Sequence, residues 1–162
     1  MAIGDHAITN EEIERSLLDH IAANITDGVS IHEPGMTFSP ERTKEWIEPR
    51  IATLEFDNTS RPAEEFGTLE LEVRCFIKVE QKGKRRLELS VLVDKVLAVI
   101  GGERGVNAGI IRQEDKTDVG RLQFQASSQS RAYGTTAVIG GVSILGLDVA
   151  TIAVTTLVTG DP

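Results

Sequence analysis

The stretch Thr68-Leu69-Glu70-Leu71-Glu72-Val73-Arg74-Cys75-Phe76-Ile77-Lys78-Val79-Glu80 decides the fold. Leu69, Leu71, Val73, Cys75, Ile77 and Val79 fall on one face of an extended chain. Glu70, Glu72, Arg74, Lys78 and Glu80 fall on the other, and Phe76 alone breaks the alternation. A period of two with one apolar and one charged face describes a strand that covers a core on one side and meets water on the other, as antiparallel sheets do. The spacing predicts such a strand over residues 68–80, ended by the turn Gln81-Lys82-Gly83-Lys84.

On either side of this strand the period changes to that of a helix. Upstream, Thr9 and Glu12 have capping-box spacing, and Ile13, Leu17, Leu18, Ile21 and Ile25 follow on one stripe until Gly28. This predicts a helix over about 10–26. Downstream, Leu89, Leu92, Val93, Val96, Leu97 and Ile100 form a stripe over about 85–100, ended by Gly101-Gly102. Val91 and Ala98 add apolar surface off that stripe, so this helix is expected to meet a sheet on one side and a neighbour on the other.

Residues 32–45 hold Pro34, Gly35 and Pro40 without periodicity and read as a long loop, a feature that tends to carry an interaction. Trp46–Phe56 reads as a strand anchored by Trp46, Ile51 and Phe56. Pro49 removes a ladder donor, which places that strand at an edge or gives it a bulge. Beyond the second helix, strands are expected at Gly109–Gln113, Arg121–Arg131, Ala137–Ile144 and Asp148–Thr159. The expected fold is a single α+β domain over 1–162, a mainly antiparallel sheet with two amphipathic helices packed on one face.

The length of 162 residues leaves no room for two full-sized domains. Lys+Arg number 17 and Asp+Glu 25, a formal charge of −8, which argues against a DNA-coating or polybasic membrane-binding protein. The charge is uneven: residues 1–72 hold 16 acids and 5 bases, residues 73–162 hold 9 acids and 12 bases. Such an imbalance favours head-to-tail association of identical chains. Ala137–Val158 is long enough to span a bilayer, but Asp148 at its centre costs about 2.5–3.5 kcal/mol on insertion, and the segment reads as β-structure. No membrane partner and no targeting segment are expected.

The chemistry-bearing residues form no recognisable site. His6, His20 and His32 have no partner at metal-ligand or catalytic spacing. In Gly141-Val142-Ser143-Ile144-Leu145-Gly146 the second glycine comes one position late for a nucleophile elbow, and a bulged strand is the reading. Asp115–Gly120 is too short of oxygen ligands for a calcium loop and reads as a solvated turn. Gly101-Gly102-Glu103-Arg104-Gly105 follows a helix, whereas phosphate loops open one. Cys75 is the only cysteine and sits on an apolar strand face, so it reads as a core residue. The basic cluster Lys82, Lys84, Arg85 and Arg86 is either a solvated turn or a patch for a neighbour's acidic surface; the acidity of the rest of the chain favours the second. No enzyme activity, catalytic residue, metal or cofactor is expected.

The order of features resembles a known family. An N-terminal amphipathic helix precedes the loop Glu33-Pro34-Gly35-Met36-Thr37-Phe38-Ser39-Pro40. An aromatic-led strand follows, Trp46-Ile47-Glu48-Pro49-Arg50-Ile51, then the long alternating strand, a basic turn, an apolar helix and closing antiparallel strands. This layout resembles the tail-terminator (tail-completion or minor tail) proteins of long-tailed bacteriophages. The resemblance implies a structural virion protein in the neck region of the tail, assembled in the host cytoplasm. It implies a homo-oligomeric ring, typically a hexamer, that caps the tail tube protein and meets a neck or head-completion protein. DNA would pass through its channel without specific binding, since acid repels phosphate. The expected contact residues are Pro34, Phe38, Pro40, Trp46, Lys82, Lys84, Arg85 and Arg86. Competing readings are another phage neck or tail subunit (a head-completion or tube protein), a small soluble enzyme or ligand-binding domain, and a cellular oligomeric adaptor.

Overall fold

The alternating stretch forms β3 (Phe66–Lys78), one of two central strands in a six-stranded sheet of order β1-β2-β3-β6-β5-β4. The computed structural model describes residues 8–25, 28–33, 36, 38–57, 66–78, 87–101, 108–112, 115–139 and 141–160. The other elements are α1 (Asn10–Asn24), β1 (Ser30–Ile31), a 3-10 turn (Pro40–Arg42), β2 (Glu45–Asp57), α2 (Glu88–Ile100), β4 (Ala108–Arg112), β5 (Asp118–Ile139) and β6 (Val142–Gly160). Pro34, Lys82, Lys84, Arg85 and Arg86 lie outside the described residues.

The class is α+β, as the sequence predicts, and the sheet is antiparallel except where β1 runs parallel to β2. Both helices pack on one face. Ile13, Leu17 and Ile21 of α1 share a core with Leu89, Leu92, Val93 and Val96 of α2, and the sheet supplies Leu71, Val73, Cys75, Ile152 and Val154. Each fully buried side chain of this kind contributes about 1.5–3 kcal/mol. The capping box forms as expected: Glu12 N–H donates to Thr9 Oγ1 at 3.2 Å, and Thr9 N–H to Glu12 Oε1 at 2.9 Å. Cys75 is buried in the core, and desolvation pushes its thiol up to about 12.

Pro49 removes a ladder donor, as expected. In the short parallel ladder His32 N–H donates to Ile47 O at 2.8 Å. The next donor in that pattern is the N–H of residue 49, which proline lacks, so the β1 ladder stops there. β2 then shifts register between Ile51 and Thr53, a bulge.

Two sequence expectations are corrected, and β1 adds a strand that the sequence does not mark. Two residues of β1 lie just before the segment read as a loop, too short to show a period. Arg121–Arg131 is part of a longer strand that runs on through Ala132–Thr136 to Ile139. Ala137–Ile144 is not a strand of its own: it holds the end of β5, the turn at Gly141 and the start of β6, so the described residues of the C-terminal region form three strands and not four. The unbroken stretch escapes a periodicity test because residues 126–134 are exposed on both faces. Their order comes from pairing with β6, which a local pattern does not report.

Gly120 is fixed by close approach. A Cβ there would sit 2.5 Å from Thr159 O and 2.7 Å from Ile8 Cδ1. Gly120→Ala is expected to destabilise the fold by about 1–3 kcal/mol through overpacking, measured by denaturant unfolding. An unchanged midpoint would show that β6 can yield at this point.

Candidate functional site

β5 and β6, at 22 and 19 residues, are far longer than the usual strand of about 5–6 residues. Their distal part forms a two-stranded arm beyond Leu147, the last residue of β6 that pairs with β3 among the described residues. The arm bends where the β5–β6 register shifts, between Ala132 and Thr135 and again between Thr135 and Ala137. Gly134 and Gly146 flank this bend with φ of +62° and +69°, values that a side chain strains. Asp148, buried, holds the bend by accepting from Gly134 N–H at 3.0 Å, and Thr135 Oγ1 donates to Leu147 O at 3.1 Å.

The arm folds onto the sheet face opposite the helices. Ile139, Ile144 and Leu147 bury against Trp46 and Phe76, with Phe38 packed at the margin. Trp46 and Phe76 stack with centroids 5.1 Å apart, and Phe38 tilts on Trp46 at 5.5 Å. His32 stacks on Phe38 at 4.8 Å. Glu48 accepts from His32 Nδ1 at 2.8 Å and from Arg74 Nη2 at 2.6 Å, and Arg74 lies over the Phe76 ring. Phe76, the exception in the alternating pattern, thus belongs to a second small core.

Of the residues expected at a contact surface, the structure packs Phe38 against Trp46, and Pro40 opens the 3-10 turn two residues after Phe38. Phe38 is partly exposed, Pro40 is buried, and Trp46 is 0% exposed. Trp46 supports this surface from beneath and does not present its ring to a partner. What the arm does present is Val138, 71% exposed, and Leu145, 75% exposed, on its other face. Leu87 and Val91 at the start of α2 are also exposed. Of these four the sequence marks only Val91, off the stripe of α2, because exposure depends on which face of the arm or helix is covered.

A cleft of about 350 Å³ lies between α1 and β4, lined by Arg15, Ser16, Asp19, His20, Asn24 and Arg112 among others. Its two arginines are engaged within the chain: Arg15 pairs with Glu11 and donates to Arg112 O, and Arg112 pairs with Asp118 at 3.0 Å. Among the described residues no group of three or more His, Cys, Asp or Glu side chains could hold a metal ion. No helix among them is long and apolar enough to cross a membrane.

His20 lines this cleft, with Nε2 3.3 Å from Val99 O and its ring 5.4 Å from that of Phe124. Burial lowers its pKa below 6.5, and the Val99 carbonyl opposes that shift in part. Above pH 6.5 the ring is neutral in both the folded and unfolded chain and contributes nothing to pH dependence. As pH falls below 6.5 the unfolded chain takes the proton first, so stability drops until the lowered folded pKa is passed. His20→Gln is expected to lose less Tm than the wild type between pH 7.5 and 5; equal losses would contradict the burial effect.

No protein-family model and no curated protein matches the sequence. Among solved structures, the chain is similar to the sheath/tube terminator, in the extended state, of the PVC extracellular contractile injection system. Identity is 8% and the TM-score 0.37, with 93% of this chain and 57% of that one covered. The chain therefore spans little more than half the length of that protein, and a likeness at this score carries no argument about function.

Proposed function

We propose that the chain is a non-enzymatic structural subunit, a phage tail terminator that forms a ring on the end of the tail tube and joins it to the neck. The observation that supports this best is the β5–β6 arm. It is a long ribbon with an apolar outer face at Val138 and Leu145, anchored by its own small core. Exposed apolar side chains gathered on one anchored surface mark a contact site. The layout of helix, Pro-containing loop, aromatic-led strand and alternating strand supports the same reading. A tail tube protein and a neck or head-completion protein are the partners it implies, in the neck region of the virion. The acid excess suits a channel that DNA crosses without being held.

Light scattering of the purified chain tests self-association. A closed oligomer supports the ring, and a monomer at high concentration counts against constitutive assembly. The basic cluster provides a second test. Reversing Lys84, Arg85 and Arg86 to Glu is expected to weaken assembly and leave the unfolding midpoint unchanged. Unchanged assembly would make the cluster a plain solvated turn.

A further inference from the structure

The edges of the sheet are treated unequally. A sheet edge offers unpaired N–H and C=O groups to any other strand, and folded chains normally block it. β4 is blocked by α1: Arg112 N–H donates to Ser16 Oγ at 3.0 Å, and Arg15 Nη2 donates to Arg112 O at 2.9 Å. The first part of β2 is blocked by β1 over Trp46 and Ile47, then interrupted by Pro49 and the bulge at Ala52. Two regular segments remain. On one side β4 pairs with β5 only as far as Gln123, so Ser127–Ala132 pairs with β6 alone among the described strands. All six of these residues are exposed. On the other side Thr53–Asp57 pairs with β3 alone among the described strands.

We propose that the Ser127–Ala132 edge of β5 pairs with the Thr53–Asp57 edge of β2 in a second copy of this chain. The proposal rests on the ring reading above and names the contact that would build the ring. Four observations carry it. The two segments lie on opposite sides of one sheet, so each copy offers one edge and accepts at the other, a head-to-tail contact. The strand directions agree. β2, β3, β6 and β5 alternate along the sheet, so the β2 of a following copy meets β5 antiparallel and continues the alternation. The segments match in length, at six and five residues. Their charges are opposite: Ser127–Ala132 carries Arg131 and no acid, and Thr53–Asp57 carries Glu55 and Asp57 and no base. Pairing β5 with another β5 would instead give a closed pair, bring two Arg131 side chains to one contact and leave Thr53–Asp57 uncovered.

Cysteine cross-linking of the full chain tests this. Ser128→Cys and Ser130→Cys are prepared separately from Thr53→Cys and Glu55→Cys, then mixed in pairs and treated with a short bismaleimide. Partners across a ladder have Cα atoms about 4.5–5.5 Å apart, within its reach even one register away. Cys75 does not compete, because it is buried and its thiol is pushed up to about 12. The expected result is a cross-linked pair in the β5-plus-β2 mixtures and none in any variant alone, with light scattering giving an oligomer larger than a dimer. A cross-link in Ser130→Cys alone would overturn the proposal in favour of β5 pairing with itself. A closed oligomer without any cross-link would overturn the edge contact and leave the ring reading standing. A monomer without cross-links would count against both. Cross-links in a chain that particle imaging finds away from the tail end would support the edge contact and defeat the terminator reading.

Discussion

Replacing Trp46 by alanine is expected to lower the unfolding free energy by about 3–5 kcal/mol. The indole is fully buried, stacked on Phe76 and tilted against Phe38, with Ile139, Ile144 and Leu147 of the arm packed in the same cluster. Truncation would remove the largest side chain of a core that has five buried members among the described residues. A cluster this small has few neighbours with which to refill the void, so the cavity cost is not relieved by collapse. The lost aromatic pairing adds about 0.5–1.5 kcal/mol beyond area. Urea unfolding measures the effect, and limited proteolysis should show the arm cleaved earlier in the variant. A change near zero would mean that the arm is not anchored here and that Trp46 serves a partner surface.

The second large effect is expected at Leu92. Leu92→Ala should cost about 2–5 kcal/mol, and Val91→Ala, its neighbour, close to nothing. Both residues are apolar, and sequence alone places an apolar surface on more than one side of α2. The structure separates them: Leu92 is 0% exposed in the main core and Val91 is 53% exposed. Unfolding midpoints of the two variants decide which stripe holds the helix to the sheet. Comparable losses would show that a second surface covers Val91 in the assembled protein.

Legibility followed the range of the interaction concerned. β3 and α1 are set by side chains within a few residues of one another, so alternation and the capping box place them within two residues of their observed ends. Pro49 is legible because its missing donor acts at its own position. The run of β5 from Ala126 to Gly134 has no such signal, since it is exposed on both faces and owes its conformation to β6. For the same reason Ala137–Ile144 reads as one strand when it is a hairpin tip. At the candidate surface Trp46 is recognisable as an anchor, but its burial against Ile139, Ile144 and Leu147 of the arm follows from the bend at Gly134 and Gly146. The open edges are invisible in sequence, because an edge exists only once the strand order is known.

Cryo-electron microscopy of assembled particles carrying this chain tests the central claim most directly. A closed ring of this chain is expected at the head-proximal end of the tail tube, between the last tube subunits and the neck. Placement along the tube wall, or absence of the chain from purified particles, would contradict it.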